Sequence, residues 1–351
     1  MTSVIGTDSL RDIRNDMMHR VEKSALDFLE QEHARWSALD REAGATIETI
    51  AALMRSGGKR IRPEFCLSGF LAAGGDPQDE SIIAAAVAVE LLHTSALIHD
   101  DVFDESAIRR GAPAAHVKYA TRHRDNGWRG DADRFGESVA ILAGDLALGY
   151  ADAFLSEAAG ARPSVLAAWT EMRTELQIGQ HLDVVAAARF AGDPKLSRTI
   201  AQLKSGNYTI HRPLLIGAIL AGRPDLAAAF ETYGLAVGEA FQLRDDLLDM
   251  FGDTDTLGKP AQLDLERHKM TLLLSLAIER DPAVRELVER PEAEADGLQR
   301  SLLASEMAAE VEKHIAGLVV AGGTALAGAD LEPGWQAELI ALAHSVAYRD
   351  K

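Results

Sequence analysis

The sequence is nearly without cysteine, with Cys66 alone in 351 residues. A lone thiol excludes an internal disulfide framework and suits a reducing cytosol. Aromatic residues are scarce at 5%, and no run alternates Val, Ile and Thr, so nothing argues for a sheet. Positive charge is also in short supply. With 36 Lys and Arg against 54 Asp and Glu, the net charge is −18, which argues against nucleic acid or an anionic membrane as a partner. The polar start MTSVIGTDSLRDIRND has no apolar segment of a secretory signal. The longest apolar run, Ile82–Ile98, is interrupted by Glu90, His93 and Thr94. It falls short of the roughly twenty apolar residues of a membrane span. A buried helix, no stable membrane insertion and a cytoplasmic location are expected.

What is present is Leu and Ala in helical periodicity along nearly the whole chain. Helices are predicted over about 8–33, 36–55, 61–73, 78–105, 137–159, 163–190, 196–221, 224–251, 268–280, 297–321 and 333–348, and a polar loop over 121–135. The length would allow two domains. The Gly/Pro breaks are all short, however, so one all-α domain spanning 1–351 is the better expectation.

Two helices break an electrostatic rule. Residues 98–104 read IHDDVFD and 241–249 read FQLRDDLLD, each ending an apolar run. Helix C-termini favour cations, not carboxylates. In each cluster the first and last aspartates, Asp100 and Asp104 or Asp245 and Asp249, lie four residues apart and share a helix face. Such oxygen ligands suit Mg²⁺, which commonly binds one or two carboxylates together with substrate phosphates. Basic side chains of the kind a diphosphate needs stand in RSGGKRIRP (55–63) and RRGAP (109–113). One acidic cluster alone could equally be a solvated helix end, and the Gly-Gly segment alone a helix cap. Together they point to a metal–diphosphate site.

GGKRIRP, HDDVFD followed by RRG, GQHLD at 179–183, FQLRDDLLD, and GKP followed by DLERHKMT resemble the motifs of the trans-isoprenyl diphosphate synthases, from about residue 50 to 275. The resemblance implies about a dozen helices around a central cavity, the isoprenoid synthase fold, usually as a homodimer. It implies three Mg²⁺ ions, with Asp100 and Asp104 holding two, supported by Asp101, and Asp245 the third, helped by Asp246 and Asp249. Gln180 and Asp183 match a supporting pair. Arg109, Lys204 and Lys259 would hold an allylic diphosphate (dimethylallyl, geranyl or farnesyl). Lys59, Arg62, His93 and Arg110 would hold isopentenyl diphosphate. Lys269 belongs to the last motif as a further substrate contact. Gln242, Phe241, Ser205 and Tyr208 would line the reacting carbons, with Lys204, Ser205, Gln242 and Arg109 as the candidate catalytic set. Ser205 stands where the family usually has Thr, and His268 where it often has Gly.

The resemblance also bears on product length. Short-product members place aromatics four and five residues before the first aspartate, and here those positions are Ala96 and Ser95. Leu91 and Leu92 lie one turn deeper, so a floor at that level implies a product longer than farnesyl, with geranylgeranyl diphosphate favoured and farnesyl or longer chains as alternatives. A terpene cyclase has no need for the second diphosphate site. A non-catalytic partner subunit would lose an aspartate cluster. A helical metal-binding protein would show Glu-x-x-His pairs.

Overall fold

The computed structural model describes residues 7–189, 192–251, 269–288, 302 and 307–349. The chain begins with α1 (Thr7–Ser37), α2 (Ala45–Arg55), α3 (Ile61–Ala72) and α4 (Glu80–Phe103). A small hairpin, β1 (Ile108–Arg109) with β2 (Ala112–Pro113), leads to α5 (Ala115–Asp125), α6 (Ala132–Ala159) and α7 (Pro163–Arg189). Next comes a near-continuous helical run of α8 (Pro194–Ile200), a π-helical segment (Ala201–His211) and α9 (Arg212–Leu220). A 3₁₀ turn (Pro224–Leu226) precedes α10 (Ala227–Phe251). The remaining described helices are α11 (Leu272–Arg280), α12 (Pro282–Val288), α13 (Met307–Ala325) and α14 (Trp335–Ala347). The all-α architecture expected from the sequence is what forms.

Helix α4 is the axis. Asp79 caps its start, accepting from the Ser81 amide at 2.8 Å. Its apolar stretch is long enough to cross a membrane, but 78% of it is buried inside the protein, as a core helix requires. The small side chains Ala140, Ala143, Ala147 and Ala151 recur along one buried stripe of α6, which lets that helix pack closely along α4. A continuous apolar core links these helices to α3, α9, α10 and α13.

The first and last described helices are sewn together. Arg11 Nε donates to Glu338 of α14 at 3.0 Å. Arg14, nearly buried, reaches Glu64 at 3.2 Å and Ser68 Oγ at 3.3 Å, with Glu338 at 3.8 Å.

Several boundaries differ from the sequence reading. The helix predicted over 36–55 starts only at Ala45, after turns at 38–44. The predicted 121–135 loop shrinks to 126–131, because α5 runs to Asp125 and Asp131 caps α6 at the Arg134 amide. Its polar run hides an aromatic cluster in which the His123 ring lies 5.1 Å from Phe135 and 6.0 Å from Trp128. The hairpin and α12 were not anticipated. Two-residue strands and a seven-residue helix are too short for periodicity to show.

Candidate active site

The C-terminal half of α4, the middle of α7, the π-helical segment and the C-terminal half of α10 converge on a cavity of about 560 Å³. Helix α4 turns the stripe Glu90, His93, Ala96, Leu97 and Asp100 toward it, and α7 turns Leu176, Gln180 and Asp183. Gly179 lets α7 approach this closely. A Cβ there would lie 2.6 Å from the Lys204 backbone nitrogen. The π-helical segment adds Lys204, Ser205 and Tyr208, in keeping with the use of such wide turns at functional sites. Helix α10 contributes Phe241, Gln242, Asp245 and Asp246, and Lys269 closes the same side.

The carboxylates meet cations from other elements. Lys204 Nζ bridges Asp100 at 3.0 Å and Asp183 at 2.6 Å. Burial pushes the Asp100 carboxyl up, but Lys204, Lys269 and Arg109 outweigh it and hold it below the usual range. Burial and Lys269 draw the Lys204 ammonium down, and Asp100 and Asp183 more than restore it. Asp101 is buried, gripped by Arg109 Nε at 2.9 Å and Nη2 at 2.5 Å, and burial raises its carboxyl despite that guanidinium. Lys269 Nζ donates to Asp104 at 3.0 Å. On α10, Asp246 accepts from Gln242 Nε2 at 2.7 Å and from the Leu273 amide at 3.1 Å. Asp101, Asp104 and Asp249 stand outside the cavity lining.

The cavity also has basic lining residues. Lys59, Arg60, Arg62, Arg109 and Arg110 all line the cavity. Gly57 and Gly58, with φ of 90° and 140°, form the turn that brings Lys59 there. Arg62 Nη2 donates to Tyr208 Oη at 2.5 Å, and His93 Nδ1 lies 3.1 Å from the same oxygen. Burial, reinforced by Arg62, Arg110 and Arg109, pushes the His93 imidazolium well below its ordinary range, so the ring is neutral. In a neutral ring one nitrogen accepts and the other donates, so Nδ1 can accept from the Tyr208 hydroxyl while Nε2–H donates to an anion.

The cavity thus gathers most of the residues singled out in the sequence. Ser95, Leu91 and Leu92 are buried but do not line it; only Ala96 does. Ser95 precedes His99 by four residues, and His99 abuts Gly144, so that stripe of α4 faces α6. His99 Nε2 lies 3.1 Å from the Ile141 carbonyl oxygen, a structural role. Lys259 and His268 lie outside the described residues. Sequence reasoning missed Arg349, which pairs with Asp245 and lies over the Phe241 ring at 4.2 Å. No motif surrounds it to signal this.

The donor set fits a hard divalent cation. The lining carboxylates offer only oxygen, and one ammonium already lies between Asp100 and Asp183. Among the described residues no three His, Cys, Asp or Glu form a ready-made cage. Mg²⁺ commonly binds one or two carboxylates together with substrate phosphates and water.

A cavity that combines clustered carboxylates, a set of Lys and Arg side chains and apolar lining residues defines an enzyme that handles diphosphate esters of apolar groups. The polyprenyl synthetase family profile matches residues 45–303. The chain belongs to that family and is a trans-prenyltransferase. It is 35% identical over 252 residues to the short chain isoprenyl diphosphate synthase of Methanothermobacter thermautotrophicus, covering 71% of this chain and 72% of the relative. To the geranylfarnesyl diphosphate synthase of Aeropyrum pernix it is 32% identical over 271 residues, covering 75% and 78%. The fold superposes on the Corynebacterium glutamicum geranylgeranyl pyrophosphate synthase, solved with isoprenyl diphosphate and magnesium. The TM-score is 0.87 at 35% identity, covering 95% of this chain and 98% of that one.

Proposed function

We propose that the protein condenses isopentenyl diphosphate with an allylic diphosphate, head to tail, and releases geranylgeranyl diphosphate as its main product. The observation that carries this reading is a cavity with two charged groupings. Two anionic headgroups need separate seats: Arg62 and Arg110 group with His93 and Glu90, whereas Asp100 and Asp183 share Lys204.

In this reading Asp100 and Asp104, with Asp101 and Asp183 in support, and Asp245, with Asp246 and Asp249, hold Mg²⁺, three ions in all. When bound, Mg²⁺ neutralises negative charge building on the departing allylic diphosphate. Arg109, Lys204 and Lys259 hold that diphosphate, and Lys269 adds charge from the side. Lys59, Arg62, Arg110 and neutral His93 orient isopentenyl diphosphate so that its double bond faces C1 of the allylic group. The allylic C–O bond breaks, the new C–C bond forms, and the released diphosphate takes the proton. Gln242, Ser205 and Tyr208 place polar atoms beside the reacting carbons. Phe241, Ala96, Leu97 and Leu176 exclude the water that would quench the cation.

Product length rests on Ala96. A methyl at this level of the wall leaves room for a tail beyond farnesyl. We take the chain as one domain working as a cytoplasmic homodimer. Exposed Ile141, Leu142, Leu166 and Ile178 on α6 and α7 supply apolar surface for a second copy.

Purified protein incubated with Mg²⁺, isopentenyl diphosphate and each allylic primer separately tests the reading, with products dephosphorylated and sized by chromatography. A twenty-carbon alcohol is expected. A fifteen-carbon stop overturns the length assignment, and no elongation from any primer overturns the reaction.

A further inference from the structure

Arg60 lies between two residues proposed above to bind diphosphate, yet its own guanidinium is fully engaged within the protein. Nη1 donates to Glu90 of α4 at 2.5 Å, Nε to Glu22 of α1 at 3.0 Å, and Nη2 to the Met54 carbonyl at the end of α2 at 2.6 Å. Arg60 is also the residue immediately before α3, with left-handed backbone at φ 50°. One side chain therefore pins α1, α2 and α4 to the start of α3, in a conformation a non-glycine residue adopts at a cost. From the other side, Arg110 donates to the Leu53 carbonyl at 2.9 Å and to the Gly57 carbonyl. The turn carrying Lys59 and Arg62 is held from both flanks.

Glu90 is the anchor of this arrangement. It is 4% exposed, in the middle of α4, and faces Arg60, Arg62 and Arg110. An acid beside a cationic seat weakens an incoming anion by simple charge, so its presence calls for another benefit.

We propose that Glu90 is a positioning residue for the basic grouping: by gripping Arg60 it fixes the 57–62 turn, so that Lys59 and Arg62 are presented to a diphosphate that neither Glu90 nor Arg60 binds. The proposal rests on the two-diphosphate reading above and deepens it, naming what shapes the isopentenyl diphosphate seat.

The sign of one substitution decides the matter. Glu90→Gln removes the negative charge and nearly preserves the shape. If charge alone mattered, anions would bind more tightly. If position matters, they bind more weakly, because a neutral amide holds the guanidinium less firmly.

Inorganic diphosphate, without Mg²⁺, is titrated calorimetrically into the wild type, Glu90→Gln, Arg60→Met and the double variant. KM is measured separately for isopentenyl diphosphate and for the allylic primer. Each single variant is expected to weaken diphosphate binding and raise KM for isopentenyl diphosphate about tenfold, a loss typical of a broken charge-assisted contact. The allylic KM stays within about threefold, and the double variant is no worse than the poorer single one. Unchanged or tighter diphosphate binding in Glu90→Gln, equal rises in both KM values, or additive losses overturn the proposal. If thermal unfolding shows Glu90→Gln to be unfolded, Glu90→Asp carries the test: it keeps the charge and withdraws it from Arg60, so weaker diphosphate binding upholds the proposal and unchanged binding overturns it. A wild type that binds no diphosphate and elongates no primer overturns instead the reading on which the proposal rests.

Discussion

The two aspartate clusters share a spelling and differ in how the protein holds them. On α4, Asp100, Asp101 and Asp104 each face a cation from elsewhere in the chain: Lys204, Arg109 and Lys269. On α10, Asp246 accepts from the Gln242 amide and the Leu273 backbone, and Asp245 pairs with the distant Arg349. Both clusters bury the middle aspartate and leave the first one more open: the Asp100 side chain is 24% exposed and Asp245 44%, against 3% for Asp101. The common element is a buried middle carboxylate beside a more open first one. The difference lies in the described partners: each α4 aspartate meets a side-chain cation, whereas Asp246 also draws on an amide side chain and a backbone N–H. The residues one turn earlier diverge too, with small Ala96 before Asp100 and aromatic Phe241 before Asp245.

Removing the open aspartates tests whether both clusters serve the reaction. Asp100→Ala should lower turnover about 10³-fold and Asp245→Ala about 10²-fold, the range for losing a group that stabilises developing charge. Circular dichroism should show an intact fold in both. Full activity in either variant removes its cluster from the site.

The buried aspartates test the difference in partners. Asp101→Asn loosens a charge-assisted contact to Arg109 and should cost about 2 kcal/mol in urea unfolding, whereas Asp246→Asn, which weakens the contacts from Gln242 and the Leu273 amide, should cost about 1 kcal/mol. Equal costs would erase the distinction.

The preceding turn comes next. Ala96→Phe should shorten the main product by about one five-carbon unit, since a helical turn of about 5.4 Å matches one prenyl unit. Ser95→Phe should shorten it less, because Ser95 does not border the cavity. Chromatography of the dephosphorylated products reads both, and an unchanged profile in Ala96→Phe takes the tail off this face of α4.

Smallest is the effect of Arg349→Met. Freed of its arginine, Asp245 should reach half-saturation at about two- to threefold lower Mg²⁺, as expected for a partly exposed ion pair. A higher requirement would mean that Arg349 helps the metal rather than competing with it.

The sequence made the chemistry more legible than the shape. Asp100, Asp245, Lys59 and Arg110 could be read because a carboxylate at a helix C-terminus, or a basic run around paired glycines, violates local expectation and asks for a partner. The boundaries of α4 and α7 were also clear, since long apolar periodicity survives single polar interruptions. Arg349 was not legible, because its meaning depends on a contact with Asp245 across 104 residues of chain. Nor was the identity of the partner of Glu90, since Arg60 reads as one more member of a basic motif. The π-helical segment was invisible as well, since widening a helix by one residue per turn leaves its composition unchanged. Its effect is to bring Lys204, Ser205 and Tyr208 to one wall.

The seam between α1 and α14 bears on how the protein is born. Arg11 and Glu338 are separated by 327 residues. At about 5–20 residues per second, a ribosome takes roughly 16–65 s to deliver the second after the first. Throughout that interval α1 can dock only against its early neighbours, with Arg14 resting on Glu64 and Ser68 of α3. Closure of the bundle is therefore a late event in synthesis. A nascent chain halted before α14 would carry α1 half-clasped, its partner not yet made.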